Sequence, residues 1–214
     1  MAEPSPELLD AASVGGYLVE HGLVPAGEEI AVEALGGGVS NVVLLASAGG
    51  RRLVVKQSLP RLLVADEWLA TRERILTEAA SLELTARIAP GTAPRVLHID
   101  PAAYVIVIDA APPGWETWKT ELLAGRADPG VAARLGGLLA AVHEGTRDSA
   151  EARERFDGEE AFEQLRVDPY YRTIAARHPE LAPRINGTIN AMLGRRICLV
   201  HADFSPKNVL VGDD

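Results

Sequence analysis

The chain has 214 residues, 47% hydrophobic and 24% charged, with 30 acidic residues against 21 basic ones and a formal net charge of −9. Such a composition supports a folded chain with a sizeable core and excludes a disordered or collagen-like one. The acidic excess argues against a surface for nucleic acid or anionic membrane, and no stretch reaches the ~18 uninterrupted apolar residues of a membrane-spanning helix.

The first seven residues, Met1 to Glu7, are acidic and carry two prolines, unlike a basic and apolar secretory signal. Glu7 to Glu20 has apolar residues at helical spacing, Leu8, Ala12, Val14, Leu18 and Val19, which predicts a supporting helix stopped by Gly22. Three short β-rich runs follow: Ile30 to Leu35, Val42 to Ala46, and Leu53 to Lys56. Glycine clusters separate them, so they predict an antiparallel meander.

The first cluster is Gly36-Gly37-Gly38-Val39-Ser40-Asn41. Three glycines let a backbone approach a ligand closely and present several amides to phosphate oxygens, but they equally make a flexible hairpin turn. The second cluster, Ala48-Gly49-Gly50-Arg51, reads as a plain turn.

Lys56 closes the third apolar run, and a helix is predicted over Glu67 to Ala89 with Ile75, Ala79, Leu82 and Ala86 on its apolar stripe. Glu78 falls three residues after Ile75 and four before Leu82, on or beside that stripe. A carboxylate there is costly without a cation, and in a kinase-like topology Lys56 would be the nearest candidate partner. Glu73 and Glu83 point further from the stripe.

Two more strands are predicted, Arg95 to Ile99 and Tyr104 to Ile108, joined by a turn at Asp100-Pro101. The proline- and glycine-rich stretch Asp109-Ala110-Ala111-Pro112-Pro113-Gly114 leaves a strand for helical sequence and reads as a linker between lobes. Beyond it, Trp115 and Trp118 are expected to anchor packing. Val131, Leu135, Leu138, Leu139 and Val142 mark one helix, and Ala182 to Leu193, stopped by Gly194, marks another. The charged stretch Arg147 to Phe156 reads as a solvated face.

The last stretch has two apolar runs, Ile197 to Val200 and Val209 to Val211, around a polar loop, which predicts strand, loop, strand. Cys198, the sole cysteine, lies in the first run. It offers no disulfide framework, packs as a small hydrophobe and fits a reducing, cytoplasmic setting. The loop carries His201-x-Asp203-x-x-x-x-Asn208, the spacing of a kinase-type catalytic loop with alanine in place of the usual arginine. In that pattern the aspartate accepts the proton of an attacking hydroxyl and the asparagine holds a metal. Asp, Ser, Pro and Asn are also the ordinary residues of a turn between strands. His201, at the end of an apolar run, reads as a hydrogen-bonded structural residue.

Taken in order, Gly36 to Asn41, Lys56 at the end of a Leu-Val-Val-Lys strand, Glu78 and the His201 to Asn208 loop resemble the aminoglycoside phosphotransferase and choline kinase group of small-molecule kinases. Val55 to Pro60, Asp66-Glu67-Trp68 and Val167-Asp168-Pro169-Tyr170-Tyr171 are similar to segments of the methylthioribose kinases within that group.

The resemblance implies an α+β, protein-kinase-like, two-lobed fold. Its parts would be an N-terminal lobe over 1–109 with a five-stranded sheet, a hinge over 110–114, and a partial helical C-terminal lobe over 115–214. It implies ATP as phosphate donor, Mg2+, and a hydroxyl-bearing small molecule as acceptor, with no nucleic acid or membrane partner. Gly36, Gly37, Gly38, Ser40 and Asn41 would cover the phosphates, Lys56 would contact them and Glu78 would orient Lys56. The adenine would lie against backbone groups near Asp109 and Ala111, Asp203 would act as base, and Asn208 would bind metal.

The sequence departs from the family pattern in three respects, one being that Ser205-Pro206-Lys207-Asn208 differs from the methylthioribose kinase loop, so that the substrate does not carry over with the resemblance. Ala202 stands where glycine is common, and the second metal-binding aspartate expected on the following strand is not reached, Asp213 lying too near Asn208 to replace it. These departures imply a weak or inactive enzyme, or a nucleotide-binding protein without catalysis, as the alternative.

Overall fold

The computed structural model describes residues 6–36, 38–63 and 68–212. The chain divides into two compact units, one formed by 1–86 and 93–110, the other by 87–92 and 111–214.

In the first unit, five strands form one antiparallel sheet: β1 (Ala31–Ala34), β2 (Asn41–Ala48), β3 (Arg51–Ser58), β4 (Val96–Asp100) and β5 (Val105–Asp109), in the order β1-β2-β3-β5-β4. The expected meander is there, its strands extended by one or two residues at several ends. Gly49 and Gly50, at φ 53° and 75°, make the two-residue turn between β2 and β3, a backbone that matches strand twist and that glycine adopts without strain.

The sheet is covered on both faces, because alternate residues of a strand point to opposite sides. Leu53, Val55, Val105 and Val107 pack on one face with Val14 and Leu18 of α1 (Val14–Glu20). Ile106 and Ile108, with Val54, pack on the other with Ile75 and Ala79 of α2 (Arg74–Ile88). Between Val96 and His98 the β4–β5 register shifts, so that Leu97 and His98 together oppose Val107. This bulge carries His98 to the α1 face, where an unbroken strand would have put it with Val96 on the α2 face.

Both helices are shorter than the sequence spacing predicts. Before α1, the Asp10 carboxylate accepts the amides of Ala12 and Ser13 at 2.9 and 2.8 Å, a local turn that competes with helix. Residues 7–9 are drawn instead to Gln57, which is 1% exposed: it accepts the Leu9 amide at 2.7 Å and donates to the carbonyls of Glu7 and Ala103 at 3.0 and 3.1 Å. Before α2, the carbonyls of Ala70 and Thr71 accept from the Arg74 guanidinium at 3.2 and 2.5 Å and are used there rather than in a helical ladder. The predicted helix start at Glu67, with Asp66, lies outside the described residues.

The second unit is mainly helical. It contains β6 (Glu116–Thr117), α3 (Trp118–Leu123), α4 (Pro129–Thr146), α5 (Ala150–Phe156), α6 (Glu160–Phe162), a π-helix over Glu163–Arg172, α7 (Thr173–Arg177), α8 (Ala182–Leu193) and β7 (Leu210–Val211). Pro129 opens α4 with Asp128 as N-cap, and Val131 is buried on its apolar face while Leu135, Leu138, Leu139 and Val142 are half-buried.

Arg147 to Phe156 is charged and largely exposed, as expected, but most of it is helical, since the Ser149 side chain accepts the Ala152 amide and caps α5. Ile197 to Val200 does not form the predicted strand. The Leu199 amide goes to Thr146 Oγ1 at 2.9 Å, no strand pairs with the run among the described residues, and Ile197 and Val200 are more than half exposed. The last apolar run does pair, β7 lying antiparallel to β6.

Candidate functional site

The first group of functional side chains is built on β3. Lys56 pairs with Val43 on β2 and Ile106 on β5, so its position is fixed from both sides. Like Val54 and Ile106, it faces α2. Ile75 and Ala79 seat that helix on the sheet, and Glu78 then falls with Oε1 2.7 Å from Lys56 Nζ. Both side chains keep about a quarter to a third of their surface open, so the pair is accessible to a ligand.

The glycine turn joins β1 to β2. A Cβ added at Gly36 or Gly38 would meet nothing within 4 Å among the described residues. Internal packing therefore does not require glycine at either position, which suits a backbone that a ligand approaches. Gly37 lies outside the described residues. The Ser40 carbonyl accepts from the Leu59 amide at 3.0 Å and from Arg74 Nη2, and Asn41 opens β2 opposite Ser58. Arg74 also donates to the Leu59 carbonyl at 2.8 Å, so one buried guanidinium ties the end of the glycine turn to the start of α2. Burial pulls it down to about 10, which leaves it charged at neutral pH.

At the far end of β5 the Asp109 amide donates to the Arg95 carbonyl at 3.0 Å, and its carboxylate accepts from Arg95 Nε at 2.6 Å. Ala111 begins the second unit's stretch of chain and is half-buried.

The second group lies on the loop before β7. Ala202 has φ 63°, in the left-handed region that glycine adopts freely and alanine does not, so the departure noted in the sequence coincides with a strained backbone. The Asp203 amide donates to His201 Nδ1 at 3.3 Å, and the His201 ring stands edge-on to Phe204. A single 3-10 turn, Pro206–Asn208, then brings the Asn208 side-chain NH2 to the Asp203 carbonyl at 2.8 Å. Asp203 and Asn208 are thus brought together within this unit.

Asp203 has two cations beside it. Arg166 Nη2 lies 3.3 Å from Oδ2 and Lys207 Nζ lies 3.0 Å from the same atom. Arg166 also donates through Nε to the Ala202 carbonyl at 2.7 Å. Partial burial alone would raise the Asp203 carboxyl. Hydrogen bonding from Lys207 and Asn208 and the Arg166 and Lys207 charges outweigh it and hold the group below the usual carboxylate range.

Sequence reasoning missed Arg166, Lys207 and Arg74. Lys207 alone carried a local signal, four residues after the candidate base. Arg166 sits on the π-helix 37 positions upstream, directly before the family-like segment Val167 to Tyr171, which was the one signal that could have found it.

The donor set suits a nucleotide and a hard divalent cation. With its NH2 end committed to Asp203, Asn208 has its amide oxygen as the ligating end, the oxygen donor such cations take. Asp213 and Asp214 lie outside the described residues.

A model of the phosphotransferase enzyme family matches residues 31–214. A methylthioribose kinase of Pectobacterium carotovorum is 35% identical over 114 residues, which cover 52% of this chain and 28% of that protein. Methylthioribose kinase 2 of Oryza sativa is 30% identical over 131 residues, 61% of this chain and 29% of that one. The match thus spans little more than a quarter of these relatives' length. Among solved structures, a spectinomycin phosphotransferase in complex with ADP and spectinomycin superposes with a TM-score of 0.52 at 13% identity, covering 97% of this chain and 67% of that one. The similarity establishes a shared α+β fold, an antiparallel sheet followed by a helical region.

Proposed function

The chain belongs to the phosphotransferase enzyme family, and from that premise we propose that it serves in moving the γ-phosphoryl group of ATP to a hydroxyl of a small molecule. The observation that carries this reading is the Lys56–Glu78 pair, 2.7 Å apart and partly open to solvent.

In this reading Lys56 holds the phosphates as a fixed cation, Glu78 keeps its ammonium in place, and the backbone of Gly36 to Asn41 donates amides to phosphate oxygens. The adenine rests against backbone groups near Asp109 and Ala111. Asp203 takes the proton of the acceptor hydroxyl as that oxygen attacks, and the Asn208 amide oxygen would hold magnesium. Magnesium, when bound, supplies neutralisation of charge on the phosphates.

The acceptor we propose is neutral or cationic, because the net charge of −9 disfavours polyanions. Methylthioribose and other neutral sugars come first, and amino-alcohols of the aminoglycoside kind second. A reducing, cytoplasmic setting fits the single Cys198. No helix among the described residues is long and apolar enough to cross a membrane.

One observation favours a second reading, nucleotide binding without transfer: Asp203 is engaged by Arg166 and Lys207, so its carboxylate serves as an ion-pair partner. Incubation with ATP, magnesium and a panel of hydroxyl compounds, read by mass spectrometry, separates the two. Phosphorylated acceptor with the native chain, and at least a hundredfold less with Asp203→Asn, supports transfer. ATP binding with no product from any acceptor supports the second reading.

A further inference from the structure

On the α1 face of the sheet, opposite Lys56, four side chains converge that the proposed chemistry does not use. Tyr17 and His21 stand one helical turn apart on α1 and its C-cap, and His98 and Asp100 are alternate residues of β4 brought to the same face by the bulge at Leu97. A ligand nitrogen from each histidine and a carboxylate oxygen of Asp100 all lie within 4.8 Å of one another.

The hydrogen bonds around the cluster set the state of each group. His21 Nδ1 is 2.9 Å from the Tyr17 carbonyl, which only accepts, so Nδ1 carries the hydrogen. In the neutral ring, Nε2 is then a bare lone pair, and it lies 3.8 Å from Asp100 Oδ2. Asp100 Oδ1 is held by the amides of Ala102 and Ala103, both at 3.0 Å, while Tyr17 donates its hydroxyl to Oδ2 at 3.2 Å.

His98 Nε2 is buried and has no hydrogen-bond partner among the described residues. Burial, with His21 beside it, pushes His98 toward the neutral imidazole. Burial alone would raise Asp100, but the Ala102 and Ala103 amides and the Tyr17 hydroxyl outweigh it and keep the carboxylate ionised. A ring nitrogen of each histidine and a carboxylate oxygen of Asp100 therefore face each other within 4.8 Å. The arrangement calls for a cation at its centre.

We propose that His21, His98 and Asp100 form a binding site for zinc or a zinc-like divalent metal that fastens α1 to β4. Two imidazoles and a carboxylate match the nitrogen and oxygen ligands such ions prefer, whereas magnesium favours oxygen alone. The carbonyl that orients His21 and the amides that orient Asp100 are the outer partners a metal ligand ordinarily has. Ligands around zinc stand about 3.3 Å apart, so side-chain rotations of about 1 Å close the site. The proposal does not depend on the phosphotransfer reading.

Untagged, chelator-treated chain, free of nucleotide, is titrated with zinc against a fluorescent zinc indicator, with cobalt as a spectroscopic probe. One equivalent is expected to bind, and to raise the melting temperature by about 5 °C at a hundredfold excess over Kd. His98→Ala and Asp100→Asn should each weaken binding at least tenfold, and so should His21→Gln, a change at the exposed end of α1 that leaves the core intact. His178→Ala, whose ring faces Glu180, should leave binding unchanged. Nitrogen NMR should show Nε2 of His21 and His98 shifting with zinc while Nδ1 of His21 stays protonated. Zinc affinity indifferent to all three ligand variants would overturn the proposal, as would titration of His21 into an imidazolium paired with Asp100 by a chain that takes up no zinc.

Discussion

Arg166 holds Asp203 at two points, donating through Nε to the carbonyl of the preceding residue while Nη2 lies 3.3 Å from the carboxylate. The contact joins the π-helix to the candidate catalytic loop within one unit, and it fixes both the direction of Asp203 and its charge. Because the Asp203 carboxyl is held low in the folded chain, its contribution to stability is present above the usual carboxylate range and is lost as pH falls through the lowered value. Arg166→Leu should move the Asp203 titration upward, toward the ordinary carboxylate range, and bring that loss to higher pH. Carboxyl-carbon NMR of the two proteins compares them directly, and coincident Asp203 curves would show that the guanidinium does not hold the charge.

Lys56 and Glu78 are partly exposed, and pairs of that kind add little to folding. Lys56→Ala should therefore change stability by less than about 1 kcal/mol while weakening ATP binding at least tenfold. Calorimetric titration beside a urea melt makes the separation visible. A variant that loses stability and keeps its nucleotide affinity would reverse the assignment.

Ala202 pays for its left-handed backbone. Ala202→Gly removes about 1–2 kcal/mol of strain and costs about 0.5–1 kcal/mol in added freedom of the unfolded chain, a net gain of up to about 1.5 kcal/mol. A higher urea midpoint with unchanged slope is the expected result. A lower midpoint would mean that the loop relaxes at this residue in solution.

Arg74 satisfies the carbonyls of Ala70, Thr71, Leu59 and Ser40 from a buried position. Arg74→Met should cost about 3 kcal/mol, since it leaves buried acceptors unmet, and it should speed hydrogen exchange at Leu59, whose amide shares the Ser40 carbonyl. Exchange at Leu59 matching the parent chain would show that the glycine turn is held by other contacts.

The first three strands were legible because glycines bound their apolar runs, and Glu78 was legible because helical spacing sets it beside the stripe that seats α2 on the sheet. What escaped was set by tertiary contacts. Arg74 looks like any charged residue in a helix until it is seen among four carbonyls. Residues 163–172 hold a proline that argues against regular helix, and the wide π turn accommodates Pro169 there. Ile197 to Val200 has the apolar content of a strand, but pairing requires a neighbour and its Leu199 amide has gone to Thr146. The bulge at Leu97, which decides where His98 points, leaves no trace in the order of residue types.

Gln57 places the opening of the chain among the supports of the lysine strand. It is the residue after Lys56, turned to the opposite face, and its carboxamide is filled by the backbone of Glu7, Leu9 and Ala103. Trimming residues 1–9 as a dispensable leader would strip two of those three partners from an amide sealed away from water, at about 1–3 kcal/mol for each group left unmet. The strain would fall on the peptide next to Lys56, so a shortened protein that binds nucleotide poorly would be reporting damage to its scaffold rather than the absence of a ligand contact.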